Sequence, residues 1–167
     1  MTDRAFDAHI TERTAEPTLA VRYTMPMAEV DMSTIFPREL PRLFEQVGAL
    51  GHQIAGAPYG RYYAWGGETA DFELGIVVDR PVEAVPPLRE VPSGDIGASE
   101  LPAGPVAIAT NWGSYDGLPE TYSKLHDWIH AQGRDDGIGP WESYVADPMS
   151  VADQADVRTE VTYPLKG

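Results

Sequence analysis

The sequence predicts an α+β fold, built from a duplicated strand-strand-helix-strand-strand unit, with two pseudo-symmetric halves and a central ligand cleft. Three observations predict it. Alternating apolar and polar residues indicate half-buried strands, apolar residues three or four positions apart indicate two helices, and the elements follow the same order twice. Helices segregated from strands are typical of one antiparallel sheet, or a pair of half-sheets, backed by two helices.

The first half covers about residues 6–80. Alternation over residues 6–11 predicts a strand, and apolar positions from Leu40 to Val47 at helical spacing predict a helix, with Asp31 and Ser33 as candidate caps. The elements predicted here are strands over 6–11 and 18–25, a helix over 37–50, and strands over 59–65 and 72–79.

A stretch with four prolines, residues 80–92, is interpreted as a linker to the second half, about residues 88–165. A helix is predicted from Leu118 through Ile129, with Gly133 beyond its end. The strands predicted around it are 88–96, 104–111, 141–146 and 157–164, with an Asp147-Pro148 turn before the last.

The two halves align at nearly the same offset along the chain. Leu19-Ala20-Val21 corresponds to Val106-Ala107-Ile108, and Glu73 corresponds to Glu160. A duplicated unit of this kind leaves a cleft at the pseudo-symmetry axis that both glutamates can flank. We therefore interpret residues 1–167 as a single domain.

Composition excludes several function classes. Acids outnumber bases 26 to 12, for a net charge of -14, which argues against nucleic-acid binding because phosphate contacts need Lys and Arg. The absence of cysteine removes disulfides and thiol nucleophiles. No basic leader precedes an apolar run, and no run of about 18 apolar residues occurs, so we expect a soluble cytoplasmic protein without a membrane segment.

A carboxylate in the closing strand is the first candidate for chemistry. Glu160 lies among Val157, Val161 and Tyr163, which favour burial, and a desolvated carboxylate can serve as a counter-ion or as a general base. The alternative is a strand glutamate that faces solvent or pairs with Arg158.

Aromatic residues near the predicted strands are candidates for a pocket wall, because their faces attract planar and cationic molecules. Alternation requires Tyr62 and Tyr63 to face opposite sides, and likewise Ser143 and Tyr144; we assign Tyr63, Trp65 and Tyr144 to the pocket. The full candidate ligand set is Glu160, Tyr144, Trp112, Tyr115, Trp141, Tyr63, Trp65 and Glu73.

Metal and cofactor motifs are weak. His126 and His130 stand four residues apart with Asp127 between them, but the intervening acid is not glutamate and no downstream ligand is evident, so we interpret them as solvated helix surface. Asp135-Asp136-Gly137 lacks the rest of a calcium loop and is interpreted as a turn. No metal and no cofactor are expected.

Several segments match one known family in their order and spacing: Leu101-Pro102-Ala103-Gly104, Gly113-Ser114-Tyr115, Leu125-His126-Asp127-Trp128-Ile129, Gly139-Pro140, Trp141-Glu142-Ser143-Tyr144, Asp147-Pro148, Arg158-Thr159-Glu160-Val161-Thr162-Tyr163-Pro164 and, in the first half, Phe72-Glu73-Leu74-Gly75-Ile76-Val77-Val78. Together they resemble the GyrI-like small-molecule-binding domain, which occurs alone and as the effector half of multidrug-responsive regulators; this chain resembles a stand-alone member. The resemblance implies two pseudo-symmetric halves around an aromatic pocket, with the acidic residue at the Glu160 position contacting lipophilic cations. Members of a stand-alone branch hydrolyse cyclopropane-bearing DNA-alkylating natural products.

Three functions are consistent with these observations. The first is binding of lipophilic, planar or cationic small molecules against Glu160 and the aromatic wall. The second is hydrolysis in the same pocket, with Glu160 activating a water and Tyr144 donating a hydrogen bond to the developing anion. The third is an acidic, gyrase-inhibitor-like interaction module, which rests on the net charge alone.

Overall fold

The computed structural model describes residues 6–146 and 150–166. Within them it contains eight strands and two α-helices, and every strand pairing found inside the two compact units is antiparallel. The predicted α+β class is confirmed. In chain order the elements are β1 (Ala8–Arg13), β2 (Glu16–Pro26), α1 (Met32–Ala49), β3 (Ile54–Ala64), β4 (Thr69–Val78), β5 (Ile96–Leu101), β6 (Gly104–Trp112), α2 (Leu118–Ala131), β7 (Trp141–Ala146) and β8 (Arg158–Pro164).

One compact unit is formed by residues 14–103. Its strands lie in the order β3-β4-β2-β5, and α1 covers one face of them. Because successive strand residues point to opposite faces, every second residue of β4 packs against the helix and the residues between them face away from it. The buried hydrophobic cluster of this unit is Leu19, Val21, Ile35, Leu43, Val47, Ala70, Phe72, Leu74, Ile76, Val78 and Val82.

Helix α1 begins five residues before the predicted start at Pro37. The side chain of Asp31 accepts a hydrogen bond from the Ser33 backbone N–H at 3.1 Å, which is the usual N-cap arrangement. Pro37 and Pro41 both lie inside the helix. The cap at Asp31, rather than the first proline, therefore fixes where the helix starts.

The second compact unit combines residues 6–13 with the part of the chain from residue 104 onward. Its strands lie in the order β1-β6-β8-β7, with α2 on one face. Its core brings Leu125 and Ile129 of α2 against Ala107, Ala109 and Val161. Within this unit, too, alternate strand residues face the helix.

The boundaries of these units differ from the predicted halves, 6–80 and 88–165. Strand β1 pairs with β6, from Ala8 opposite Ala109 to Arg13 opposite Gly104, and β5 pairs with β2. The first strand of the first predicted half, β1, therefore belongs to the unit that contains β6, and the first strand of the second half, β5, belongs to the unit that contains β2. The strand expected over residues 88–96 is also corrected: a short 3-10 helix, Leu88–Glu90, comes first, and β5 begins only at Ile96.

The expected Asp147-Pro148 turn lies outside the described residues. Of the helices in the described part of the chain, neither combines the length and the apolar character that crossing a membrane requires.

Candidate functional site

Glu73 lies in the middle of β4, on the face of the strand that points away from α1. Its neighbours Phe72 and Leu74 pack into the helix-side core, so alternation turns Glu73 to the other side. The Glu73 side chain is nevertheless buried, with only 1% of its surface exposed. A buried carboxylate requires hydrogen-bond partners, and the flanking strands supply them.

Three hydroxyl groups of the described residues donate to the Glu73 carboxylate. Tyr59 donates to Oε2 at 2.5 Å, Ser99 donates to Oε2 at 2.9 Å, and Tyr63 donates to Oε1. Because the Tyr59 proton goes to Glu73, the Thr18 hydroxyl, 2.9 Å from the Tyr59 oxygen, acts as the donor to it. Strands β2, β3 and β5 thus all contribute to the surroundings of one carboxylate on β4.

Gly75 makes the Tyr59 contact possible. It lies directly opposite Tyr59 in the pairing of β3 with β4. A Cβ atom at Gly75 would lie 2.5 Å from the Tyr59 hydroxyl oxygen and 2.6 Å from two ring carbons, closer than real Cβ atoms come. The tyrosine ring therefore occupies the space that a side chain at this position would fill.

Arg22 and Arg61 stand opposite Glu73 on the neighbouring strands β2 and β3. Arg22 forms a two-point ion pair with Asp71, with both N–O distances 2.8 Å. The guanidinium carbons of Arg22 and Arg61 lie 4.0 and 4.8 Å from the centre of the Tyr63 ring. Among the described residues, no Lys, Arg or His forms an ion pair with Glu73.

Burial and the nearby carboxylate change the acidity of the two tyrosines. Burial, together with the negative charge of Glu73 and the hydrogen bond to it, raises the pKa of Tyr59 well above that of an exposed tyrosine. The same causes raise the pKa of Tyr63. Both phenols therefore stay protonated, and remain donors to Glu73, at any physiological pH.

A pocket of about 420 Å³ opens beside this carboxylate, within the unit formed by residues 14–103. Volumes of this order are usual for small-molecule sites. Its wall combines aliphatic side chains with an equal number of charged or polar ones, Tyr63 is the one aromatic lining residue, and the exposed Arg89 and Glu100 are part of the lining. The remaining lining residues are Pro17, Arg22, Glu73, Pro81, Val82, Leu88, Ala98 and Ser99.

Glu160 lies in a different setting. It is one-third exposed, and its Oε1 accepts from Arg158 at 3.2 Å, as the alternative interpretation of this residue predicted. The pairing of β7 with β8 places Ser143 opposite Glu160 and Tyr144 opposite Thr159. Glu160 and Tyr144 therefore point to opposite faces, which corrects the choice of Tyr144 over Ser143 as the partner of Glu160.

Tyr144 belongs to a second buried carboxylate. Its hydroxyl donates to Glu142 at 3.0 Å, and Tyr122 of α2 donates to the same side chain at 2.8 Å. Burial raises the pKa of Glu142, although both hydrogen bonds act to lower it. Tyr115 contacts the Tyr144 ring edge-on at 5.9 Å.

The other predicted pocket aromatics are dispersed. Trp112 lies under the guanidinium of Arg158, and the fully buried Trp141 lies under that of Arg13. Trp65 does not share a face with Tyr63: a bulge between Tyr62 and Ala64 shifts the register, so Trp65 packs against Tyr62 and Phe72 instead. Of the eight predicted ligand residues, Glu73 and Tyr63 line the pocket described above.

Sequence reasoning missed Tyr59, Ser99 and Arg22. Tyr59 could have been found, since it stands four residues before Tyr63 and alternation places both on one face. The roles of Ser99 and Arg22 depend on which strands are neighbours, and no local pattern contains that information.

A family model described as the GyrI-like small molecule binding domain matches residues 9–166. The comparison with curated proteins found no match. Among solved structures, the EcmrR C-terminal domain is 20% identical with a TM-score of 0.78, over 98% of this chain and 99% of that one. In the EcmrR–DNA complex the match is 21% identical with a TM-score of 0.77, and covers 96% of this chain but only 57% of the EcmrR chain.

Two further structures have the same fold at lower identity. A hydrolase from Listeria innocua is 11% identical with a TM-score of 0.63, over 95% of this chain and 91% of that one. The protein SAV2435 bound to tetraphenylphosphonium is 10% identical with a TM-score of 0.62, over 96% of this chain and 94% of that one. At these identities the likeness concerns the fold.

Proposed function

Because the chain belongs to the GyrI-like family of small-molecule-binding domains, we propose that it binds lipophilic organic cations in the pocket beside Glu73. The proposal moves the central carboxylate from Glu160, which the sequence favoured, to its counterpart on β4. The pocket and its hydrogen-bond donors support this choice.

The observation that carries the proposal is the state of the Glu73 carboxylate. Three hydroxyls donate to it, and the guanidinium of Arg22 on the neighbouring strand is bound to Asp71. Removing a carboxylate from water is costly, and hydroxyl donors offset only part of that cost. A cation entering the pocket gains the attraction of this charge in surroundings where it is poorly screened.

The apolar part of the pocket wall supports a lipophilic rather than a strongly hydrated cation. Pro81, Val82 and Leu88 contribute apolar surface, and Tyr63 contributes an aromatic ring. The pocket combines this apolar surface with charged and polar groups, among them Glu73 and Arg22, which can fix the orientation of an organic ligand. The tetraphenylphosphonium of the structure described above is a lipophilic cation and gives a convenient probe.

The test is a calorimetric titration of the protein with tetraphenylphosphonium and, separately, with tetraphenylborate, an anion of nearly the same shape. We expect the cation to bind and the anion to bind at least about tenfold more weakly, a difference of about 1.4 kcal/mol. Glu73→Gln keeps the size of the side chain and removes its charge, so the cation should lose at least about tenfold in affinity. Glu160→Gln is the matched control and should bind as the wild type does.

Equal affinity of wild-type and Glu73→Gln protein for the cation would contradict the proposal. Loss of cation binding in Glu160→Gln but not in Glu73→Gln would mean that the cation binds at Glu160. Thermal melting of both variants separates a loss of binding from a loss of folding.

Hydrolysis of cyclopropane-bearing alkylators is the second candidate. Glu160 and Tyr144, the residues first considered for it, lie on opposite faces of their strands. Glu73 offers a carboxylate that can accept a proton from water, and the phenol of Tyr63, whose O–H donates to Glu73, lies beside it. Mass spectrometry of such an alkylator incubated with wild-type and Glu73→Gln protein tests it; turnover no faster than in buffer rules it out for that substrate.

A further inference from the structure

A cluster of two histidines and an aspartate lies at the C-terminal end of α2. His126 and His130 are one helical turn apart on the same side of the helix, and their rings are 4.4 Å apart. Asp136 lies five residues beyond the end of α2, and its carboxylate lies beside both histidine rings. One ligand atom from each of the three side chains lies within 4.8 Å of the other two.

The geometry converges on a single point. The Nε2 atoms of His126 and His130 lie 3.8 and 3.0 Å from the same Oδ1 atom of Asp136. Ligand atoms around a tetrahedral zinc ion, each about 2.0–2.1 Å from the metal, are about 3.3 Å apart. Small side-chain rotations would therefore place all three atoms on one ion.

Further carboxylates lie behind both imidazoles. Asp127 lies 3.6 Å from Nδ1 of His126, and Asp135 lies 3.9 Å from Nδ1 of His130. In metal sites the second nitrogen of a histidine usually donates to a carboxylate, which orients the ring and leaves the other nitrogen for the metal. Each histidine has a carboxylate on its Nδ1 side, at a distance longer than a hydrogen bond, and directs Nε2 to the shared Asp136.

The backbone holds Asp136 in position. Asp136 forms an isolated antiparallel bridge with Leu165, Gly137 donates to the Pro164 carbonyl at 2.6 Å, and Lys166 donates to the Asp135 carbonyl at 2.9 Å. The aspartate is thus supplied by a segment fixed against the end of β8 rather than by a free loop.

We propose that His126, His130 and Asp136 bind a divalent transition-metal ion, with zinc as the preferred ion. Two imidazoles and one carboxylate suit zinc, and three protein ligands leave a position open for water or for a donor atom of another molecule. The histidine side chains are 52% and 45% exposed, so an ion can reach them from solvent. The earlier interpretation as solvated helix surface lacked the downstream ligand, which Asp136 supplies.

The experiment uses the full chain, free of any histidine tag and freed of metal by dialysis against a chelator. Calorimetric titration with zinc chloride should show one ion bound per chain with micromolar or tighter affinity. His126→Ala, His130→Ala and Asp136→Asn should each weaken binding at least about tenfold, since each removes a ligand. His9→Ala removes an exposed histidine from β1 and should leave binding unchanged.

Titration with cobalt gives a second readout, because cobalt bound at such a site absorbs visible light and the three ligand variants should lose that absorption. Circular dichroism establishes that each variant is folded. Absence of saturable zinc binding by the folded wild type would overturn the proposal and leave an exposed cluster of ion pairs. Equal affinity in the wild type and the ligand variants would overturn it as well.

Discussion

Tyr59 reaches Glu73 because the residue opposite it, Gly75, has no side chain. Its ring lies across the backbone of β4, where its hydroxyl meets both Thr18 and Glu73. Gly75 is required here because it leaves space for the Tyr59 ring, and not because of its conformational freedom. A single missing Cβ atom thus permits one of the three hydrogen bonds that hold the carboxylate.

We predict that Gly75→Ala displaces the Tyr59 ring and lowers the free energy of unfolding by about 1–3 kcal/mol, as expected for overpacking a buried site. Cation binding at Glu73 should weaken with it, because the carboxylate loses a donor. Urea unfolding and tetraphenylphosphonium titration measure the two effects. Gly67→Ala, at a turn with open space around the new Cβ atom, is the control and should change neither. Unchanged stability of Gly75→Ala would show that the ring has room to move.

At the scale of elements, the pocket depends on a short segment packed against β5. The 3-10 helix Leu88–Glu90 carries Leu88 and Arg89 to the pocket, and Ala98 of β5 donates to the Pro86 carbonyl at 2.9 Å. Gly97 allows this approach: a Cβ atom there would lie 2.7 Å from the Leu88 Cα atom. Backbone meets backbone here, so no side-chain rotation can relieve the clash.

We therefore predict that Gly97→Ala moves the 88–90 segment away from β5. The free energy of unfolding should fall by about 1–3 kcal/mol, and cation affinity should fall because the Leu88 wall shifts. Gly48→Ala, inside α1 with open space around the new Cβ atom, should instead raise stability by about 0.5–1 kcal/mol. Both quantities come from urea unfolding and calorimetry, and a Gly97→Ala protein with wild-type affinity would contradict the assigned role of this segment.

Local patterns predicted the elements better than the site. Alternation and helical spacing located β2, β4, β6, β8 and both helices, because core burial sets those periods. The bulge that separates Trp65 from Tyr63 has no local signal, and neither does the approach of Ser99 to Glu73, which requires β5 to lie beside β2. The sequence identified Glu73 only as the counterpart of Glu160. It could not show that hydroxyl groups donate to Glu73, whereas Glu160 pairs with Arg158.

At the scale of the whole molecule, two buried carboxylates make the free energy of unfolding depend on pH in opposite directions. Burial acts to raise the pKa of Glu39, but hydrogen bonds from Tyr23, Arg38 and Arg42 outweigh it and the pKa is lowered. Glu39 therefore stabilises the fold above the ordinary glutamate pKa, and that contribution is lost as pH falls through its lowered value. Glu142 has a raised pKa, so its contribution is fully present below the ordinary value and is lost as pH rises through the raised one.

We predict that Glu142→Gln becomes more stable relative to the wild type as the pH rises from about 5 to about 8, because the variant has no buried carboxyl to ionise. Urea unfolding of both proteins across this range measures the difference. Glu160→Gln, at a partly exposed position, should follow the wild type. A difference between Glu142→Gln and wild type that does not change with pH would mean that Glu142 titrates as it does in the unfolded chain.

Because β1 pairs with β6, the two compact units are not consecutive along the chain. Residues 14–103, which form one compact unit, are continuous, whereas the other unit is assembled from the residues before and after them. In sequence terms one unit is an insertion within the other, and Arg22, Tyr59, Tyr63, Glu73 and Ser99 are all encoded inside the insertion. A fluorescent or affinity tag fused to either end of this chain is therefore attached to the unit that does not contain the proposed cation pocket.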